Sequence, residues 1–299
     1  LHRVPASQVV YSMSARHQPV LRVALPARLT FETLDCFAGQ VKSCADTVAT
    51  LDFSRVNPAT GPVYLEGVRP GDVVAVHIRE IRVSSPGIMV AAPGAGVLGD
   101  LVQQPETKMV EIKDGQVQLG LLTVPVAPMI GVIGLAPAEE DIPCGVPGRH
   151  GGNMDTTLIA AGSTVYLPAQ VEGGLLAMGD LHALMGDGEI MVSGVEVAGE
   201  VDVTVTCVPN WSLEYPLVVT PRWVAVLASA ATLDEAATLA TRQMAGMLQA
   251  WLGCSLNEAG MLLSAVGQLQ ISQVVDPLKT ARMALPRHML RQLGVPLAF

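Results

Sequence analysis

The stretch Val195-Glu196-Val197-Ala198-Gly199-Glu200-Val201-Asp202-Val203-Thr204-Val205-Thr206-Cys207 puts Val195, Val197, Val201, Val203, Val205 and Cys207 on one face and mainly polar residues on the other. A period of two is that of a pleated strand, whose successive side chains point to opposite sides. The stretch therefore predicts a half-buried strand, or a pair of strands broken near Gly199. Residues 73–83 read the same way, with Val74, Val76 and Ile78 set against His77 and Arg79, as does the run 217–227. Gly71-Asp72, Pro86-Gly87 and Asp114-Gly115 supply turn chemistry between such runs. With 29 glycines and 21 prolines in 299 residues, many short strands joined by tight turns are expected, so the fold is β-rich. Helix is expected only late. Thr232 with Glu235, and Ser255 with Glu258, fit the capping box, and the stripe Ala236, Leu239, Ala240, Met244, Met247, Leu248, Trp251 has helical spacing for core packing. Pro286 and Gly294 bracket one last short helix.

The chain is half apolar and only 15% charged, with a mean hydropathy of +0.42. Gly, Pro or a charge interrupts every apolar stretch before it could span a bilayer, so a soluble protein without a membrane partner is expected. Sparse charge also suits a homodimer or larger homo-oligomer, whose subunits hide part of their exterior. A net charge of −9 without a basic run argues against nucleic acid and for a small-molecule partner. Cys36, Cys44, Cys144, Cys207 and Cys254 are odd in number and include no CxxC, so reduced, mostly buried thiols are expected rather than a disulfide framework or a zinc knot. No secretion signal is legible, and a cytoplasmic location is the default expectation. The proline-rich stretch at 125–147 is the best place to divide the chain, although one intertwined unit over 1–299 reads equally well.

Three segments place ionisable and amide side chains between glycines: His150-Gly151-Gly152-Asn153-Met154-Asp155, Gly179-Asp180-Leu181-His182 and Gly186-Asp187-Gly188-Glu189. Glycine permits positive φ and close backbone approach, while Asp, Glu, His and Asn bind hard cations or move protons. If residues 175–182 form a strand, Asp180 and His182 share a face and form a carboxylate–imidazole clamp suited to Zn²⁺ or another divalent ion. Asp187 and Glu189 share a parity as well, and the surrounding glycines would turn them back toward that clamp. The local alternative is plain turn chemistry, since Asp and Gly cluster in β-turns on their own account.

The longer pattern is Gly148-Arg149-His150-Gly151-Gly152-Asn153-Met154-Asp155, then Gly162-Ser163-Thr164-Val165-Tyr166-Leu167-Pro168, then residues 179–189. It closely resembles the acetamidase/formamidase family of amide hydrolases. Residues 31–35, 57–67 with Pro70-Gly71-Asp72, and Ile271-Ser272-Gln273-Val274-Val275-Asp276-Pro277 resemble further blocks of that family, in order, from about residue 30 to 285. The resemblance implies an α+β, β-rich fold with a β-sandwich or barrel core and helices toward the C-terminus. It implies hydrolysis of a carbon–nitrogen bond in a small non-peptide amide, linear or cyclic, with a divalent metal. Carried onto this chain, Asp35, Asp180 and His182 would hold the metal, and the loop containing His150, Gly151, Gly152, Asn153 and Asp155 would meet the substrate. The chain departs from the pattern at Thr156, where Asn is expected.

Amide hydrolysis needs a nucleophile, oxyanion stabilisation and a proton for the departing nitrogen. Zinc can serve the first two, with calcium, manganese or magnesium as other candidates for a carboxylate-rich site. Glu66 or Asp187 is the expected general acid–base group, and the Gly151 and Gly152 amides could face the oxyanion. Two rival readings are a cysteine amidase with Cys36 or Cys144 as nucleophile and His150 or His182 as base, and a non-catalytic module in which the metal only stabilises the fold. A serine elbow is excluded by the absence of Gly-x-Ser-x-Gly.

Overall fold

The structure is a computed structural model and describes residues 1–208 and 211–295. Among the described residues, two nine-stranded sheets, a three-stranded and a two-stranded sheet, and a helical layer make up the fold. In the first sheet the strands run His2–Val4, Ala27–Thr33, Gly199–Val208, Val73–Val83, Thr164–Pro168, Leu217–Val219, Trp223–Ala230, Lys279–Pro286, Gln268–Gln273. All neighbours are antiparallel except the first pair. The period-two run behaves as its valines require. It forms a pair of strands, Glu196–Val197 and Gly199–Val208, in different sheets, separated at Ala198. Val201, Val203 and Val205 are buried against the second sheet.

The second sheet is built around Leu176–His182, which pairs with Met129–Gly134 on one side and with Ala59–Glu66 and Glu196–Val197 on the other. Every residue of Leu176–His182 and of Met129–Gly134 is buried. Side chains of both sheets, among them Leu29, Phe31, Val76 and Ile78 with Val63, Leu65, Ile130 and Met178, share one apolar core. The far face of the first sheet packs Val224, Val226, Met283 and Leu285 against Met244 and Leu248 of helix α1 (Leu233–Leu252) and Leu263 of helix α2 (Leu256–Val266). The fold is thus α+β, with a β core and C-terminal helices.

The helix signals hold at the atomic level. Thr232 and Ser255 accept from the amides of Glu235 and Glu258, whose carboxylates return the bond to the cap amides. Helix α3 (Arg287–Gln292) follows Pro286. The run at 217–227 departs from a single strand. It divides into Leu217–Val219 and Trp223–Ala230, because the Thr220 hydroxyl accepts from the amides of Arg222 and Trp223 and turns the chain at Pro221. Among the described residues, no helix is long and apolar enough to cross a membrane.

Candidate active site

The end of the central strand carries the site. Asp180 and His182 occupy the last turn of that strand, and His182 Nε2 lies 3.5 Å from Asp180 Oδ1. Asp155 arrives after the Gly151–Asn153 strand, and its Oδ1 is 3.8 Å from the same nitrogen. Glu196, paired with His182 across the adjoining strand, approaches to 3.1 Å, and Glu189 Oε1 stands at 4.0 Å. One imidazole therefore faces four carboxylates, all of them buried. Two candidate cation triads result, Cys36 with Asp180 and Glu196, and Asp155 with His182 and Glu189, the donor atoms of each lying within 4.8 Å of one another.

The backbone accepts strain to achieve this. Asp155, Asp180 and Glu189 all have positive φ, at 38°, 56° and 51°. Asp tolerates that region through its short side chain, but for Glu it is costly, and such outliers cluster at functional sites. Gly131 answers a different need. A methyl group there would collide with Asp155 Oδ1 and Asp180 Oδ2, so only hydrogen fits between the strand and the two carboxylates.

A fifth carboxylate, Asp276, accepts from Asn153 Nδ2 at 3.1 and 3.2 Å. Its loop is tied to the Gly186–Glu189 turn, where the Gly188 amide donates to Ser272 O and the Val274 amide to Gly188 O. Arg282, only 3% exposed, braces the same turn by donating to both oxygens of Asp187 at 3.0 and 2.5 Å and to the Thr156 hydroxyl at 2.9 Å.

The electrostatics are those of a site built for cations. Burial, then the neighbouring charge of Asp180, raise Asp155 to about 6. Burial raises Glu196 to about 8, and holds Glu189 and Asp276 well above the carboxylate range with help from Asp155. His182 is held well above its ordinary value, because Glu196 and Asp180 outweigh the cost of burying its charge. Among the described residues, no Lys or Arg lines the cavity above the cluster. Among the described residues, Asp155 Oδ1, Asp180 Oδ1, His182 Nε2, Glu189 Oε2 and Glu196 Oε2 are buried without a hydrogen-bond partner. Five unpartnered donor atoms converging in one place fit a divalent metal, since each would otherwise cost free energy.

The residues expected from sequence fall into three groups. Asp180 and His182 meet, as their spacing requires, and Asp155 joins them. Asp35 stands beside the cluster and feels the charge of Asp180, but its Oδ1 accepts from the amides of Phe37 and Gly39, leaving the adjacent Cys36 thiol in the triad. Asn153 lines the cavity. Gly151 and Gly152 take φ of 98° and 81° in a strand, and the Gly151 amide is committed to Gly148 O. His150 lines a separate cavity, where burial lowers it to about 4 and keeps it neutral. Glu66 and Asp187 are not brought to the cluster. Glu66 is exposed at the far end of Ala59–Glu66, seven residues, or roughly 23 Å of strand, from Ala59 beside Gly179. Asp187 is held by Arg282 and Thr157 outside the cavity lining.

The sequence turned Glu189 back toward the clamp without making it a ligand, and it did not bring Glu196, Cys36, Asp276 or Gly131 to the candidate metal cluster. Gly131 had left a signal, a glycine that interrupts the apolar run Met129–Leu135 together with Gly134, and glycine inside a strand marks close approach of another group. Glu196 had left none, because alternation assigned it to the solvent face.

A model of the Acetamidase/Formamidase family matches residues 16–143 and 141–291, nearly the whole chain. This chain belongs to that family. A crystal structure of an acetamidase from Bacillus halodurans is 46% identical over 98% of this chain and all of that one, with a TM-score of 0.96. A predicted acetamidase/formamidase from Thermoanaerobacter tengcongensis is 47% identical over 98% of both chains, again with a TM-score of 0.96. A formamidase of Methylophilus methylotrophus is 26% identical over 260 residues, 66% of this chain and 63% of that protein, so the chain spans less than two thirds of that relative's length. As a member of the acetamidase/formamidase family, the chain has a fold that two crystallised relatives share across its length.

Proposed function

We propose that this family member is a metal-dependent amidase that hydrolyses the carbon–nitrogen bond of a small amide of the formamide or acetamide type, or of a lactam. The observation that carries the reading is the set of five unpartnered, buried donor atoms, those of Asp180, Glu189 and Glu196 belonging to residues that line a cavity of about 660 Å³ and those of Asp155 and His182 lying beside them. Cys36, Asp155, Asp180, His182, Glu189 and Glu196 would hold one or two divalent cations, with zinc the first candidate and calcium, manganese or magnesium suited to the carboxylates. When bound, such a cation supplies Lewis-acid polarisation of the amide carbonyl and lowers the pKa of water to near neutrality.

The chain's own groups supply the remainder. Asn153 directs its Nδ2 to both oxygens of Asp276, fixing that carboxyl in the cavity wall. Burial and the neighbouring Asp155 raise Asp276, which favours its carboxyl as the group that gives a proton to the amide nitrogen as the carbon–nitrogen bond breaks and recovers it from water. Water and amide become carboxylate and ammonium, or a zwitterionic amino acid where the substrate is a ring. Apolar walls limit competing water.

The cysteine reading is disfavoured by the same electrostatics. Burial, Glu196 and Asp180 push the Cys36 thiol well above its ordinary value, and burial pushes Cys144 up to about 12, whereas a nucleophilic thiol needs the opposite. The purely structural reading does not account for the cavity opening onto the cluster. A cytoplasmic location and a homodimer or larger assembly belong to the proposal. Five unpaired cysteines support the former, and exposed Val97, Leu98, Leu101 and Ile190 the latter.

Metal analysis of the purified protein, with ammonia release followed before and after chelation, tests the reading. Bound metal with activity that chelation removes and metal restores is expected. Full activity in the metal-free protein would refute it.

A further inference from the structure

The cavity above the carboxylate cluster is much larger than a formamide or acetamide. At about 30 Å³ per heavy atom, the volume of a liquid water, the four heavy atoms of acetamide need roughly 120 Å³, whereas the cavity offers about 660 Å³. Its carboxylates, Asp180, Glu189, Glu196 and Asp276, gather with Asn153 at the floor, and Tyr11, Ser54 and Asn57 add only uncharged polar groups to the lining. Its walls are apolar, formed by Phe37, Val48, Leu51, Val56, Val192 and Val275. Phe53 completes the lining on a short helical turn, Phe53–Arg55, and is 66% exposed, a large apolar side chain in contact with the cavity and largely open to water. A site for the smallest amides has no use for such walls, whereas a larger apolar group would cover them.

Charge narrows the choice further. Among the described residues, no Lys, Arg or His belongs to the lining, while four carboxylates do. With the carboxamide at the cation, a negatively charged group on the far end of the acyl part would find no cationic side chain on the walls and would stand in a space whose charged side chains are all carboxylates.

Resting on the amidase reading, we infer that the preferred substrate is a neutral amide whose acyl part is an apolar ring or branched chain, with the carboxamide at the metal cluster and the hydrocarbon against Leu51, Phe53 and Val192. Each methylene buried on the walls multiplies the preference about fourfold.

The test uses the full, metal-loaded chain and follows ammonia release from acetamide, phenylacetamide, cyclohexanecarboxamide and succinamate. The two ring amides should exceed acetamide in kcat/KM by tenfold or more, mainly through KM, and succinamate should fall below both rings. Phe53→Ala, a change at an exposed position, should lower the ring-to-acetamide ratio by threefold or more. Acetamide turned over as well as the rings, or succinamate equal to them, would overturn this inference and leave the amidase reading intact. No ammonia from any of the four, together with no ring opening of a γ-lactam, with metal bound would overturn both. An unchanged ratio in Phe53→Ala would overturn the role of the mouth.

Discussion

Metal removal should make the stability of this protein fall as pH rises, the reverse of ordinary acid denaturation. In the metal-free protein Asp155 is raised from 3.8 to about 6 and Glu196 from 4.5 to about 8, each first by burial. Glu189 and Asp276 move the same way. A carboxyl whose folded pKa exceeds its unfolded value binds more proton folded than unfolded in the window between the two. Unfolding then releases protons, and stability declines as pH climbs through that window. His182, held above its ordinary 6.5, contributes stability below that value and loses it as pH rises through its folded pKa, so its sign agrees. Moving Glu196 from 4.5 to about 8 corresponds, at about 1.4 kcal/mol per pH unit, to about 5 kcal/mol at pH 8, and Asp155 to about 3 kcal/mol. Both draw on the single imidazole, so their effects overlap, and about 5 kcal/mol is the size expected for the cluster. For a chain of this length that is a fall in Tm of about 10 °C between pH 5 and pH 8, at about 2 °C per kcal/mol. Thermal melts of chelated and metal-loaded protein at equal ionic strength provide the assay. The loaded protein should lose this slope, because a cation stabilises the ionised carboxylates. A metal-free Tm that stays level or rises from pH 5 to pH 8 would refute the reading of the cluster.

Further outcomes follow from single contacts. His182→Ala should lose metal and at least a hundredfold in activity while remaining folded by circular dichroism, and retained amide hydrolysis would contradict its place in the site. Glu196→Gln should weaken metal binding yet raise the pH 8 stability of the metal-free protein, a pair of opposite effects that a simple packing role would not give. Gly131→Ala should displace Asp155 and Asp180 at a cost of about 1–3 kcal/mol, visible in urea melts together with reduced metal content. Asp187→Asn should cost about 1–3 kcal/mol by leaving buried Arg282 without its anion, the half-exposure of Asp187 keeping this below the value for a fully buried pair. Iodoacetamide should leave the activity of loaded protein unchanged, since the Cys36 thiol is buried and, in the loaded protein, would be engaged with the cation.

Much of the architecture could be read locally because its causes are local. The alternation at 195–207, the two capping boxes and the Pro286 start each depend on residues within a few positions of one another, and each is found in the structure. The Thr220 hydroxyl that divides 217–227 acts over three residues too, but it is weaker than the apolar run around it and was overlooked. Ordered blocks along the chain carried the family, and the Asp-x-His spacing pointed to the Asp180–His182 clamp, although Asp180 takes a positive φ that regular strand geometry does not provide.

Sequence by itself thus determined the β-rich core, the late helices, the family and one half of the site, since period-two alternation, caps and ordered motifs need no knowledge of distant neighbours. Tertiary structure decided which acids join that clamp. Glu196 enters the site because its strand pairs with His182, and Asp276 because the Gly188 turn is tied to Ser272 and Val274. Glu66 lies at the far end of its strand, and Asp187 is claimed by Arg282. A carboxylate's role depends on what surrounds it in space, and burial beside like charges is a property of the folded chain that no local pattern encodes.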